Sequence, residues 1–225
     1  STATALAANV TVEQARASNA TPDAADTSWS ESGATVITLN GTSATVSGSG
    51  ATASGSTVTI TAGGTYVLSG TFEGQVIVNS AASDEVKLVL KGATITSSTG
   101  AAIAITDAGE AVVVLADGTT NSLTDAKTYA DTTSEDAPNA ALFSMADLTI
   151  GGGGSLTVTG QYNDGIASKD GLVISGGTIT VKAADDGIRG KDHIAITAGT
   201  ISVDAGGDAL KSDNTKDADS GFVDI

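Results

Sequence analysis

The sequence predicts an all-β chain, specifically a right-handed parallel β-helix (β-solenoid), and three observations carry that expectation. Residues 163–184 (NDGIASKDGLVISGGTITVKAA) and 185–206 (DDGIRGKDHIAITAGTISVDAG) are two copies of one twenty-two-residue unit. A third copy opens at Gly207 as GDALKSDN and resumes, after an insertion, as GFVDI. A fixed period of this length signals stacked structural repeats, with residues of equal phase lying above one another. Second, from about residue 35 short apolar–polar alternations recur (TVITLN, STVTITAGGTYVLSG, QVIVNS, VKLVLKGATIT, AVVVLADGT), bounded by Gly, Asn or Asp. That is the pattern of strands. Third, aromatics are 3% of the chain and glycine supplies 28 of its 225 residues. Bulky side chains are therefore scarce, and the core must be a thin one in which each turn packs on its neighbours.

Residues 1–35 show little periodicity and read as a flexible leader or tether, with Trp29 docking on the end of the stack. Residues 36–225 read as the parallel β-helix. Its last copy stops at Ile225 just as a new strand begins, so that end is expected to be truncated or completed by another chain. The polar stretch Asn121–Asn139 breaks the rhythm and reads as a long projecting loop. Regular repeats resume at Ala140, where NAALFSMADLTIGGGGSLTVTG aligns with the 163–184 copy. Within that copy Leu172, Ile174, Ile179 and Val181 fall on one face and point inward, while Ser175, Thr178, Thr180 and Lys182 point outward. Gly176-Gly177 supplies the bend between two short strands. Ile166, Ile188 and Leu210 form an inward ladder.

A net charge of −16 and a pI near 4.1 argue against nucleic acid as a partner. With no cysteine, neither a disulfide framework nor a thiolate metal site is possible. No apolar run is long enough to span a bilayer. His193 is the only histidine, which rules out a Ser-His-Asp or Cys-His site within this chain alone if that histidine serves as a strand start.

The chemistry concentrates in the repeats. Asp164, Asp186 and Asp208 share one phase, with Asn163 and Asp185 beside them, and parallel strands lie about 4.8 Å apart. A column of carboxylates at that spacing is costly unless a cation sits in it. Calcium takes six to eight oxygens from carboxylates, amide oxygens, carbonyls and water, so Ca2+ is the expected cofactor. Asp170, Asp192 and Asn214 form a second column six residues later, and the insertion 213–219, starting with Asp213 and Asn214, offers a further loop site. Aspartates before glycine also make turns, which accounts for one per copy but not for their stacking in register with Asp185 added. Lys169, Arg189, Lys191 and Lys211 lie near these acids. They either compensate the column as a salt-bridge ladder or contact polymer carboxylates while calcium bridges the acidic protein to an acidic sugar chain. At Ala140 the acidic phase is lost, so the site begins only at the next turn. Tyr162, Tyr129, Phe143 and Trp29 are the few aromatics able to stack on sugar rings. No flat aromatic platform is visible, which favours an ionic ligand.

The run YNDGIASKDGLVISGGTITVKAADDGIRGKDHIAITAGTISVDAGGDALKSDN resembles a family of secreted bacterial carbohydrate-binding β-helix proteins. The segments TYVLSGTFEGQVIVNSA, VKLVLKGATITSSTGAAIAI, LADGTTNSLTD and ALFSMADLTIGGGGSLTVTG follow that family's order, so the resemblance covers about Thr57 to Ile225. It implies a β-helix similar to that of pectate lyases, several calcium ions, and binding of cellulose or pectin-like polymers outside the cell. The expected function is calcium-dependent, non-catalytic polysaccharide binding at the cell surface. One alternative is a pectate-lyase-like enzyme with Lys191 or Lys211 as base. Another is a fibre subunit, a homo-oligomer joined end to end through the edge near Ile225. The third copy departs from the pattern, with Gly207-Asp208-Ala209 in place of Asn/Asp-Asp-Gly.

Overall fold

Strands account for the regular structure of the computed structural model, which describes residues 22–225 except 131, 133, 135, 218 and 219. In chain order they are β1 (Thr35–Gly41), β2 (Ser43–Ser47), β3 (Ala51–Ser54), β4 (Thr57–Ile60), β5 (Gly64–Phe72), β6 (Gln75–Asn79) and β7 (Glu85–Thr96). There follow β8 (Ile103–Asp107), β9 (Glu110–Leu115), β10 (Thr120–Thr124), β11 (Ala140–Ser144), β12 (Leu148–Gly152) and β13 (Ser155–Gly160). The repeats contribute β14 (Asp164–Ser168), β15 (Gly171–Ala183), β16 (Ile188–Gly190), β17 (His193–Ala205), β18 (Leu210–Lys211) and β19 (Phe222–Asp224).

The all-β class stands, but the architecture corrects the expected right-handed parallel β-helix. Hydrogen bonding runs β7–β9–β12–β15–β13–β10 and returns to β7, closing six parallel strands into a barrel. A second sheet has the order β18-β16-β14-β11-β8-β6-β4-β3. The period dictates that equal phases pair in parallel, and they do: Ala140 stands opposite Asp164, Ile166 opposite Ile188, and Ile188 opposite Leu210. It does not dictate which neighbours the two halves of a long strand choose. β7 pairs with β9 through Glu85–Leu90 and with β10 through Thr94–Thr96. β15 pairs with β12 through residues 172–174 and with β13 through residues 178–183. Both strands turn at a glycine of positive φ, Gly92 at 76° and Gly177 at 89°, a conformation that costs glycine least. At the N-terminal end, β1–β2 and β3–β4 pair antiparallel, an arrangement that hairpin connections allow and that the repeat does not announce.

Apolar side chains of both sheets meet in one core, from Ile37, Val58 and Phe72 through Leu90, Ile103 and Leu142 to Ile166, Ile179 and Ile194. Leu172, Ile174, Ile179 and Val181 are buried, and Thr178, Thr180 and Lys182 are exposed. Of the expected leader, residues 1–21 lie outside the described residues. Residues 22–34 lie along the outer face of the barrel: Ala25, Trp29 and Ala34 pack on Val67, Val89, Val112, Val114 and Ala116. Ala25 N–H donates to Thr149 Oγ1 at 3.1 Å, Lys87 Nζ donates to the Ser28 carbonyl at 2.9 Å, and Lys91 pairs with Glu31. This strap covers an outward valine row that water would otherwise wet. Trp29 is thus on a face and not on an end. Of the expected loop, Asn121–Thr124 belong to β10. Beyond them the chain folds back: Tyr129 is 9% exposed and stacks on Tyr162 with ring centroids 4.4 Å apart.

Candidate metal centre

The first acidic column is built where β13 and β15 turn into β14 and β16. Asp164 and Asp186 are almost wholly buried, at 1% and 3% exposure, and Asp185 beside them is exposed. Carboxylate oxygens of Asp164, Asp185 and Asp186 all lie within 4.8 Å of one another. Among the described residues, this is the only set of three or more acidic or histidine side chains so gathered.

The repeat builds the cluster by a ladder of backbone donors. Asp186 N–H donates to Asp164 Oδ1 at 3.3 Å, and Asp208 N–H donates to Asp186 Oδ1 at 3.0 Å. Asn163 Nδ2 donates to Asp164 Oδ1 and Asn139 Nδ2 to Asp164 Oδ2, both at 3.0 Å. The Asn139 side-chain oxygen is buried without a hydrogen-bond partner among the described residues, while its amide nitrogen is the group that faces Asp164. Burial, then the charge of Asp186, pushes the Asp164 carboxyl up to about 6. Burial alone would raise Asp186 as well. The hydrogen bond from Lys211 and the Asp208 N–H outweigh it and hold Asp186 below the ordinary carboxylate range. Gly207 stands at the phase of Asp185 because a Cβ there would lie 2.6 Å from Asp185 Oδ1 and 2.7 Å from Asp186 Oδ1. That is the steric reason for the third copy's departure at this position.

The other expected ligands do not converge on this cluster. Asp208 is exposed and reaches it through its N–H. In the second column Asp170 is exposed, while Asn214 Nδ2 donates to Asp192 Oδ1 at 2.6 Å and to Asp217 Oδ2 at 2.9 Å. Asn214 Oδ1 accepts from the Lys216 N–H at 2.9 Å, so the amide of Asn214, not its oxygen, faces the acids. Asp213 Oδ2 pairs with Arg189 Nη2 at 2.6 Å. Residues 218 and 219 of the insertion lie outside the described residues.

Of the cations, Lys211 Nζ sits 2.8 Å from Asp186 Oδ2, and that bond raises its pKa. Lys191 is exposed and Lys169 half-buried. Sequence reasoning missed a further acidic row on the barrel side. Glu85 stands opposite Glu110, and Asp147 precedes Leu148, which pairs with Ala111, so the three share one register position. His193, at the start of β17, follows in that row and stacks on Phe222 with centroids 5.6 Å apart. The signal was present in the sequence as an acid at or just before the start of each of those strands, but spacings of 25 and 37 residues hid it.

Residues 54–225 match the family of carbohydrate-binding domain-containing proteins. A carbohydrate-binding domain-containing protein of Acetivibrio thermocellus is 44% identical over 126 residues, which are 55% of this chain and 44% of that relative. The chain thus spans less than half the length of the curated relative it matches. A solved structure of the polysaccharide lyase-like protein from C. thermocellum, a gadolinium derivative, is similar with a TM-score of 0.81 and 38% identity. The likeness covers 85% of this chain and 78% of that one. The chain belongs to the carbohydrate-binding domain-containing protein family.

Proposed function

We propose that this protein binds an acidic polysaccharide outside the cell through calcium held at Asp164, Asp185 and Asp186, without cleaving it. The observation that carries the reading is the gathering of three carboxylates within 4.8 Å around a buried aspartate. Hard divalent cations choose such all-oxygen sites. Bound calcium would offset the burial and the Asp186 charge that together raise Asp164, and could take further oxygens from a uronate carboxylate. That solves the problem of an acidic protein holding an acidic chain.

The lyase alternative needs a lysine able to give up its proton beside the cation. Lys211 is held as an ammonium by Asp186, which argues against it as the base, and the exposed Lys191 is left to the product assay below. The test is equilibrium binding of polygalacturonate in calcium and in chelator, together with ultraviolet absorbance for unsaturated products. Binding in calcium alone, with flat absorbance, is expected. Equal binding in chelator refutes the calcium bridge, and rising absorbance refutes the non-catalytic reading. Calcium at a hundred times its Kd should also add about 2.7 kcal/mol to folding stability.

A further inference from the structure

The strap of residues 22–34 does more than cover valines. Between it and the outer face of the barrel runs an open groove of about 780 Å3, lined by Asp26, Thr27, Trp29, Lys91, Val114 and Asp117 among others. This volume lies within the roughly 300–1,000 Å3 of small-ligand sites. The groove does not include the acidic cluster; its strap side, Asp26 to Glu31, lies before residue 54, where the family match begins, and its floor lies within the match.

We propose that this groove is a second saccharide subsite, for a neutral pyranose chain, with Trp29 as its stacking platform. The inference rests on the family's carbohydrate-binding character but not on calcium. Trp29 is the only tryptophan of the chain. It is half-buried, packed against the valine row, and still lines the groove. An indole anchored in this way offers a large, rigid apolar surface for the C–H face of a sugar ring. The floor beneath it is small and apolar, at Val114 and Ala116.

Polar groups flank that floor in fixed positions. Asp26 accepts from Ser28 N–H at 2.9 Å and from Ser28 Oγ at 2.6 Å. Asp117 Oδ1 accepts from Gly153 N–H at 3.0 Å. Carboxylates oriented by such bonds keep lone pairs able to accept sugar hydroxyls, and charged acceptors make the stronger bonds. Lys91 is paired with Glu31, so Asp26 and Asp117 leave the groove net negative. A uronate chain would be repelled, and a neutral one would not. The charge therefore assigns the neutral class here and leaves acidic chains to the calcium site.

Trp29 emission reports this groove and no other, which allows a direct experiment. Cellohexaose and mannohexaose are titrated in chelator, with hexagalacturonate as the charged comparison. A saturable change with a neutral hexaose and none with hexagalacturonate is expected. Asp117→Asn, which leaves the strap untouched, should weaken that binding about tenfold with the emission of the free protein unchanged. Trp29→Ala should abolish it by calorimetry. The proposal is overturned if neither neutral sugar alters the emission at millimolar concentration. It also fails if hexagalacturonate binds there as well as they do, or if Asp117→Asn binds as tightly as the native chain. Calcium-dependent binding of polygalacturonate is measured separately, so either site can fail without the other.

Discussion

Ala140 and Asp164 stand opposite each other in adjacent strands, at one register position, and both are sealed from water at 0% and 1% exposure. The backbone around them is the same parallel ladder. At Ala140 the position asks for nothing beyond a small apolar group. At Asp164 the same place holds a carboxylate that needs Asn139, Asn163 and the Asp186 N–H to be tolerated. Equal burial thus has opposite chemical meaning in two successive turns. The apolar turns hold the fold together, whereas the acidic turns store a repulsion that a cation can relieve.

The contrast can be broken from either side. Phe72, wholly buried in the apolar turns, should cost about 3–5 kcal/mol when changed to alanine, by the same amount in calcium and in chelator; denaturant melts in both buffers check this. Asp164→Asn should behave oppositely. In chelator at neutral pH it removes a charge that burial disfavours, a gain of up to about 3 kcal/mol. It also turns an amide NH2 on one of the donors Asn139 or Asn163, so the net stabilisation should be smaller, while the calcium-induced rise in melting temperature disappears. A native-like calcium response in that variant would move the metal elsewhere.

The same carboxyl sets the pH dependence. Its folded value of about 6 exceeds the ordinary 3.8, so between those values the native state holds more protons than the unfolded one. In chelator, stability should therefore fall as pH rises from about 4 to about 6, and then level off. Calcium needs the charged form, so the calcium-induced shift should shrink as pH drops below about 6. Melts across pH 4–8, with and without calcium, read both slopes.

Gly207→Ala pushes a Cβ against the Asp185 and Asp186 carboxylates and should weaken calcium binding about tenfold, or about 1.4 kcal/mol, by calorimetric titration. Lys211→Ala should have the smallest effect. Its side chain is 36% exposed, so losing the pair should change stability in chelator by about 1 kcal/mol or less, while calcium affinity rises because a competing cation is gone.

How much of this was legible in the chain divides by distance along it. Asp164, Asp185 and Asp186 could be placed together because a period of twenty-two residues brings equal phases into adjacent strands, and that pairing is local to the repeat. The row Glu85, Glu110 and Asp147 was not legible, since its spacing is irregular and only the strand pairings align it. Asp170, Asp192 and Asn214 were in register as expected, yet the side-chain geometry spends Asn214 on donating to acids and does not gather the three.

The sequence by itself determined an all-β chain of parallel repeats, which residues face inward, and where carboxylates accumulate, because alternation and period act through nearest neighbours. Only the tertiary structure decided that β7 and β15 each serve two partners and close six strands into a barrel. It alone decided that residues 22–34 run back over the valine row with Trp29 at a groove. Those choices depend on how long strands bend and on which apolar faces remain uncovered once the repeats have stacked, and no local pattern encodes either.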